Sequence, residues 1–503
     1  MSANSWTAWR RNSPDMSFNT LPFLIFFVTV FTLYWFPLRE KTKAQNAFLL
    51  LASWFFYGYA SWKLLPLLVG ATAVFYGLGL WMENCKSEKA AGWIGTLGVI
   101  LGAGLLVAFK YLDFFIESFA ALFGALGLQT NWHTFNIILP LGLSFITFKL
   151  ISYVLEIRRG KLEAERDFIA FAAYIAFFPC LLSGPIDRPQ FLSQLHRTRV
   201  FDYDTAAEGI RQFLWGLAKK VLIADRCVYV IDPVWENIGE ASGSSLLMAA
   251  LLFSFQMYTD FSGYSDMAIG TGKLLGFKVT RNFNYPFFAT NVAEYWRRWH
   301  MSLTSWLTDY VFMPLNVRFR DWGKFGMILA IVINMVLVGL WHGANWTFGA
   351  FGLYHGLLFV PLILSGAFTR KHKLKPGRFG LPKPSDFGGM VLTFLLVTIG
   401  LVIFKAESIG QAWQYLCGMA HLETLKGFYL FFLHPDFRTK TVLIIVLMAV
   451  EWFNRTVEFP LVPLKGYRWP VRYAIYLALT VLLIMLWGKN LTFLYIDFLN
   501  GSL

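Results

Sequence analysis

The sequence predicts an all-α protein that crosses a membrane many times. Of its 503 residues, 56% are hydrophobic and only 15% are charged, whereas roughly a quarter of the residues in ordinary soluble domains are charged. Aromatic residues alone account for 18% of the chain. A single soluble core could not bury so much apolar surface. The composition therefore excludes a typical cytosolic enzyme and favours a polytopic membrane protein.

Apolar runs long enough to cross a bilayer recur along the whole chain. A spanning helix needs about 20 apolar residues, and such runs lie near residues 19–38, 46–81, 91–127, 134–155, 167–183, 244–260, 325–345, 346–368, 388–405, 437–453 and 471–488. The second and third runs are long enough for two helices each, so we expect about eleven to thirteen spanning or re-entrant helices. We interpret 1–18 as a polar leader, in which Met16 is a candidate start, and 19–503 as one membrane domain.

The middle of the chain departs from this pattern. Residues 256–323 contain shorter apolar stretches with many polar groups and glycines. Irregular backbone at membrane depth is tolerated only where protein or a wet cavity surrounds it. We therefore expect the functional site in this region, with 256–360 as the catalytic core.

The basic residues indicate topology and do not indicate nucleic-acid binding. The net charge is +14, but the charges fall in short loops between apolar runs, at 39–43, 158–166 and, most densely, 370–383. By the positive-inside rule these loops face the cytoplasm and the N-terminus lies outside. The alternative for 370–383 is contact with anionic lipid headgroups.

Two histidines are candidate catalytic residues. His342 ends an apolar run, where an ionisable group is costly and is a default functional-site candidate. We expect Asn345 to lie roughly on its helical face, and Gly339 and Gly343 to allow close helix packing or ligand approach. The alternative is a histidine that only forms a hydrogen bond between helices.

His300 lies in a Trp-rich segment. In a continuous helix, Arg297, His300, Thr304 and Thr308 would share one stripe. That stripe would line a polar cavity, or the helix would simply lie at the membrane interface. His355, 13 residues after His342, is interpreted as a supporting or structural residue.

Two acids, Asp260 and Asp266, interrupt an apolar stretch. Paired carboxylates can perform acid–base chemistry, but buried anchoring of a re-entrant loop is the alternative and is favoured for Asp266. The spacing of ligand residues predicts no metal site. The four cysteines lie far apart and indicate neither zinc nor a disulfide framework. No GxSxG elbow is present, which argues against a serine hydrolase in this chain.

Eight motifs in a fixed order resemble the membrane-bound O-acyltransferase (MBOAT) family, and within it the branch of the alginate O-acetyltransferase AlgI. They include Trp-His-Met-Ser-Leu and Trp-His-Gly and lie at 17–20, 140–148, 183–188, 219–226, 258–268, 281–287, 296–303 and 339–344. The resemblance implies a ring of helices around a central funnel, with His342 catalytic and His300 the second functional residue.

The resemblance also implies a reaction and its participants. An acetyl group would move from a cytoplasmic thioester, acetyl-CoA, toward hydroxyls of an extracytoplasmic polysaccharide such as alginate. The guanidinium groups of Arg297 or Arg298 could help hold the donor's phosphates, with contact to interfacial lipid as the alternative. An SGNH-type periplasmic or membrane-anchored partner would complete the transfer, in the inner membrane and with no bound cofactor. Alternatives are peptidoglycan O-acetylation, D-alanyl transfer to teichoic acid, lipid acylation and transport.

The C-terminal segment 491–498 contains a candidate acyl relay, Tyr495. It is similar to the aromatic ending of this family branch, although Ile496 replaces an aromatic residue. A phenol oxygen can hold an acetyl ester. The alternative is an aromatic-belt tyrosine that only anchors the last helix.

The charge asymmetry predicts that the loop at 370–383 is cytoplasmic and that the residues before the first apolar run are not. In a background without the four native cysteines, Ser2→Cys should react with an impermeant thiol reagent in intact cells. Ser385→Cys should react only after lysis. Labelling at 385 but not at 2 in intact cells would contradict the predicted topology.

Overall fold

A computed structural model describes residues 16–128, 131–135, 137, 139–369, 380–421, 435–488 and 491–499. Throughout these residues every regular element is a helix and none is a strand. The predicted all-α class is thereby confirmed. Most of the predicted leader, at 1–15, and most of the basic cluster, at 370–379, lie outside the described residues.

The chain divides into two compact units. Unit 1 comprises Met1–Ile210, Ala268–Thr280 and Ile496–Leu503, and unit 2 comprises Arg211–Met267 and Arg281–Tyr495. The predicted single membrane domain with its core at 256–360 stays a prediction, as does the ring of helices.

Unit 1 contains the N-terminal helices. They are α1 (Leu21–Trp35), α2 (Thr42–Ser61), α3 (Leu65–Glu83), α4 (Glu88–Leu106), α5 (Leu112–Ala125), α6 (Leu143–Arg158), α7 (Phe168–Ile175), α8 (Phe178–Leu181) and α9 (Leu192–Leu195). A π-helical turn at Val107–Tyr111 joins α4 and α5 into one run. The apolar run at 91–127, predicted to hold two helices, is thus helical without interruption as far as Ala125.

Small residues let the helices of unit 1 pack closely around α6. A Cβ at Gly102 of α4 would lie 2.6 Å from the Ile151 side chain, and one at Gly79 of α3 would lie 2.5 Å from the Tyr153 hydroxyl. Tyr153 is fully buried. Close approach at small residues is how helices associate in membranes, where lipid is as apolar as the side chains.

Unit 2 contains most of two long helices and all of the helices between 281 and 485. Helix α10 (Tyr203–Lys219) continues through a π-helical turn, Lys220–Ala224, into α11 (Asp225–Glu236). The others are α12 (Gly243–Leu274), α13 (Val292–Trp296), α14 (Met301–Leu307), α15 (Met313–Arg318), α16 (Gly323–His342), α17 (Trp346–Leu358), α18 (Val360–Leu364), α19 (Pro384–Lys405), α20 (Ile409–Met419), α21 (Pro435–Phe453) and α22 (Trp469–Met485). A last short helix, α23 (Leu494–Leu499), begins just before the end of unit 2.

Five helical segments of the described residues are long and apolar enough to cross a membrane. They are Thr42–Glu83, Glu88–Ala125, Arg320–His342, Trp346–Leu364 and Pro384–Lys405, and Leu21–Trp35 and Trp469–Met485 are shorter apolar helices. Large apolar side chains, such as Trp93 and Trp62, are exposed on the protein surface, as expected for a surface that faces lipid. The protein is a multi-pass membrane protein, and the predicted total of about eleven to thirteen helices stays a prediction.

Candidate active site

His342 is held at the end of α16 by unusually close packing on α17. A Cβ at Gly339 would collide with the carbonyl oxygen of Phe348, and one at Gly343 with the Phe348 ring. Of the two roles considered for these glycines, close helix packing is therefore the one that the structure provides. The His342 side chain is buried, and the ring of Phe404 lies 5.1 Å from it, centroid to centroid.

Tyr495 meets His342 directly. Its hydroxyl oxygen lies 3.3 Å from His342 Nδ1, although the two residues are 153 positions apart in the chain. Tyr495 is only 2% exposed, whereas an aromatic-belt tyrosine sits at the membrane–water interface. The buried contact with His342 thus differs from the anchoring role that was the alternative for this residue.

His300 occupies a strained turn and not a helix stripe. Its backbone is left-handed, with φ 44°, between the end of α13 and the start of α14. The predicted continuous helix through Arg297, His300 and Thr304 is wrong for this reason. A left-handed conformation is uncommon for a residue with a side chain, although histidine adopts it more often than most, and residues in this conformation cluster at functional sites.

Asn282 determines which nitrogen of His300 carries the proton. The Asn282 Oδ1 accepts hydrogen bonds from the backbone N–H and the hydroxyl of Ser302, and it lies 3.1 Å from His300 Nδ1. Because a carbonyl oxygen only accepts, His300 Nδ1 must donate to it. In the neutral ring, Nε2 is then an acceptor, and this buried atom has no partner within the described residues.

Three rings face one another at the site. The centroid of His300 lies 6.5 Å from that of His342 and 5.9 Å from that of Tyr495, and His342 and Tyr495 are 5.7 Å apart. All three side chains are buried. The structure therefore brings together two predicted histidines and the predicted relay tyrosine around one point.

The predicted supporting residues are placed differently. Asn345 does not lie on the His342 helix: it caps α17, where its side chain accepts the Thr347 N–H, so that prediction is wrong. His355 is fully buried, and its Nδ1 lies 3.3 Å from the Trp296 indole nitrogen. This contact agrees with a supporting or structural residue.

The two arginines near His300 contact protein groups. Arg297 donates to the carbonyl oxygen of Phe368, and Arg298 forms a 2.6 Å ion pair with Glu294. Their predicted contact with donor phosphates stays a prediction, as does acetyl-CoA itself. Among the described residues, no three His, Cys, Asp or Glu side chains are grouped as metal ligands.

The two acids of α12 are separate ion pairs and not a catalytic pair. Asp260 accepts from Lys220 at 2.8 Å, and Asp266 accepts from Lys219 at 2.6 Å. Both acids lie within one continuous helix, Gly243–Leu274, where the sequence suggested a re-entrant loop. Asp260 also accepts the backbone N–H of Tyr495, which places it beside the site in a supporting position.

Sequence analysis missed Asn282 and Lys220. Both lie in motifs that carry the family resemblance, at 281–287 and 219–226. Motif membership was the available signal, but neither residue type suggested chemistry by itself.

Comparison with known proteins identifies the family. A sequence model of MBOAT, the membrane-bound O-acyltransferase family, matches residues 164–382. The "Probable alginate O-acetylase AlgI" of Azotobacter vinelandii is 35% identical over 407 residues, which cover 80% of this chain and 78% of that protein. The "Peptidoglycan O-acetyltransferase" of Helicobacter pylori is 32% identical over 441 residues, with 80% of each chain covered. The "Teichoic acid D-alanyltransferase" of Bacillus subtilis is 31% identical over 284 residues, 54% of this chain and 70% of that protein.

The chain belongs to the membrane-bound O-acyltransferase family. It is a polytopic membrane enzyme that transfers an acyl group, and the predicted family membership and enzyme class are confirmed.

The hydrogen bond from His300 to Asn282 should be needed for activity. Asn282→Ala removes the acceptor that orients the imidazole, and a misplacement of about 1 Å can cost up to about 100-fold in rate. Acyl transfer by purified membranes measures the loss. Asn284→Ala, in the same segment, is the matched control, because Asn284 makes its hydrogen bonds to the described residues through its backbone. Equal activity of the two variants would contradict this role.

Proposed function

We propose that this protein moves an acetyl group from cytoplasmic acetyl-CoA to the hydroxyls of an extracytoplasmic polysaccharide of the alginate type. The observation that carries the proposal is the contact between Tyr495 Oη and His342 Nδ1. The share of the chain that its relatives match also supports the proposal. The alginate O-acetylase and the peptidoglycan O-acetyltransferase each match about four fifths of the chain, at 35% and 32% identity, whereas teichoic acid D-alanyltransferases match about half. The extent of similarity thus favours O-acetyl over D-alanyl transfer, and the identities favour the alginate type by a small margin.

In the first step, His342 acts as the general base. With its proton on Nε2, the ring accepts the Tyr495 phenol proton at Nδ1. The phenol oxygen attacks the thioester carbonyl carbon, the C–S bond breaks, and the departing thiolate takes the proton from His342. The products are free coenzyme A and an acetyl ester on Tyr495.

His300 positions a hydroxyl in this scheme. The chemistry of thioester transfer offers it two roles: orienting an acceptor hydroxyl or donating to the developing oxyanion. The Asn282 contact leaves Nε2 of the neutral ring as an acceptor, so the first role is favoured. A donor at that atom would require the imidazolium form.

In the second step, a hydroxyl attacks the Tyr495 acetyl ester, the bond from the phenol oxygen to the acyl carbon breaks, and the proton of the attacking hydroxyl passes to the phenol oxygen. An SGNH-type partner would supply a serine hydroxyl and pass the acetyl group to the glycan. These two steps fit a protein in the inner membrane, where the cytoplasmic donor and the extracytoplasmic acceptor are available on opposite sides. Mapping acetyl groups on the surface glycans of a deletion strain tests the acceptor: loss from peptidoglycan alone would replace the alginate-type assignment.

His342→Ala should reduce acetyl transfer by about 10²–10⁴-fold, the usual contribution of a general base. The protein should still insert and fold, because the substitution removes only one imidazole from a large apolar core. Measuring glycan acetylation together with thermal unfolding in detergent separates the two effects. Wild-type acetylation in the variant would contradict the assignment of the base.

Tyr495→Phe should stop acetylation of the glycan, because it keeps the ring and removes the hydroxyl. Tyr473→Phe provides a matched control, since Tyr473 lies on α22 and is 57% exposed, as expected for a tyrosine that only anchors a helix. Glycan acetylation in intact cells is the measurement. A normal rate in Tyr495→Phe would exclude the relay.

A further inference from the structure

We propose that Lys220 and Asp260 form a clamp that positions the C-terminal residues 492–495 and thereby holds the Tyr495 hydroxyl at His342. The proposal rests on the proposed function, because it assigns to these two residues the positioning of the relay tyrosine. Neither side chain touches His342, so both are positioning residues.

Lys220 joins the body of unit 2 to the terminal segment. Its buried ammonium donates to Asp260 Oδ1 and to Thr492 O, each at 2.8 Å, and pairs with Asp225 Oδ1 at 2.8 Å. The same ammonium lies 4.5 Å from the centroid of the Phe493 ring, within the range of a cation–π interaction. One side chain thus contacts two consecutive residues of the segment.

Asp260 completes the clamp with its second oxygen. While Oδ1 accepts from Lys220, Oδ2 accepts the backbone N–H of Tyr495 at 3.1 Å. The next residue on α12, Phe261, stacks on the Tyr495 ring with centroids 3.6 Å apart and planes 16° apart. The backbone and the ring of Tyr495 are therefore held by adjacent residues of one helix.

The clamp stands next to a similar ion pair that does not reach the terminal segment. Lys219 donates to Ser262 and Asp266, and Asp266 also accepts from Gln212. Within the described residues, none of these contacts involves 492–495. Asp260 and Asp266 are six residues apart on α12, so the two ion pairs are separated by about 9 Å along the helix. Lys220 begins the π-helical turn Lys220–Ala224, and such turns are frequent at functional sites.

A buried ion pair by itself is weak support for stability, because desolvation offsets the attraction between the charges. Replacing both partners with apolar residues of similar shape is often nearly neutral. An ion pair with only a structural role would not need to contact the terminal segment. This pair does contact it, at the Thr492 carbonyl and the Tyr495 N–H. A paired substitution removes both contacts and leaves neither Lys220 nor Asp260 as an unpaired buried charge, although the less buried Asp225 also loses its ion pair with Lys220.

The test compares two double variants of the full-length protein in detergent. Lys220→Met with Asp260→Leu removes the clamp, and Lys219→Met with Asp266→Leu removes the neighbouring pair. Hydrogen exchange by mass spectrometry should show about tenfold faster exchange across 491–499 in the clamp variant only. Acetyl transfer from acetyl-CoA should fall at least about tenfold in that variant relative to the control.

The clamp is contradicted if exchange at 491–499 is the same in both double variants, or if it accelerates while transfer matches the control. In a Tyr495→Phe background, adding the clamp substitutions should cause no loss of transfer beyond that of Tyr495→Phe alone, since the clamp acts through that hydroxyl. If Tyr495→Phe alone retains full transfer, the relay of the proposed function fails. The exchange measurement still decides whether Lys220 and Asp260 hold the segment.

Discussion

The hydrogen-bond contact between Tyr495 and His342 is the interaction on which the account of this enzyme depends. It joins the C-terminal segment to the end of α16, across 153 positions of sequence. Separate sets of contacts position the two residues. Close packing at Gly339 and Gly343 places His342, and the Lys220–Asp260 pair together with Phe261 places Tyr495.

The same physical constraint acts on all polar groups of the site: buried donors and acceptors need partners. Lys220 and Asp260 satisfy each other and two backbone groups, and Asn282 satisfies Ser302 and one nitrogen of His300. Nε2 of His300 is one of several buried polar atoms that have no hydrogen-bond partner within the described residues. We interpret it as the atom that receives the hydroxyl of a reacting group.

Composition and motif order predicted the all-α membrane class, the family, and the two histidines. These features are encoded locally, in the length of apolar runs and in the rarity of ionisable groups within them. The break at His300 was not predictable, because its left-handed backbone depends on the tertiary contact with Asn282. The capping role of Asn345 and the burial of Tyr495 likewise depend on where chain segments meet, which periodicity does not encode.

The most direct measurement is the mapping of acetyl groups on the purified enzyme after incubation with acetyl-CoA in the absence of any acceptor. One acetyl group is expected on the Tyr495 oxygen, detected by peptide mass spectrometry, and none is expected when His342→Ala is treated in the same way. An unmodified Tyr495 in enzyme that transfers acetyl groups once acceptor is added, or equal modification in His342→Ala, would contradict the relay.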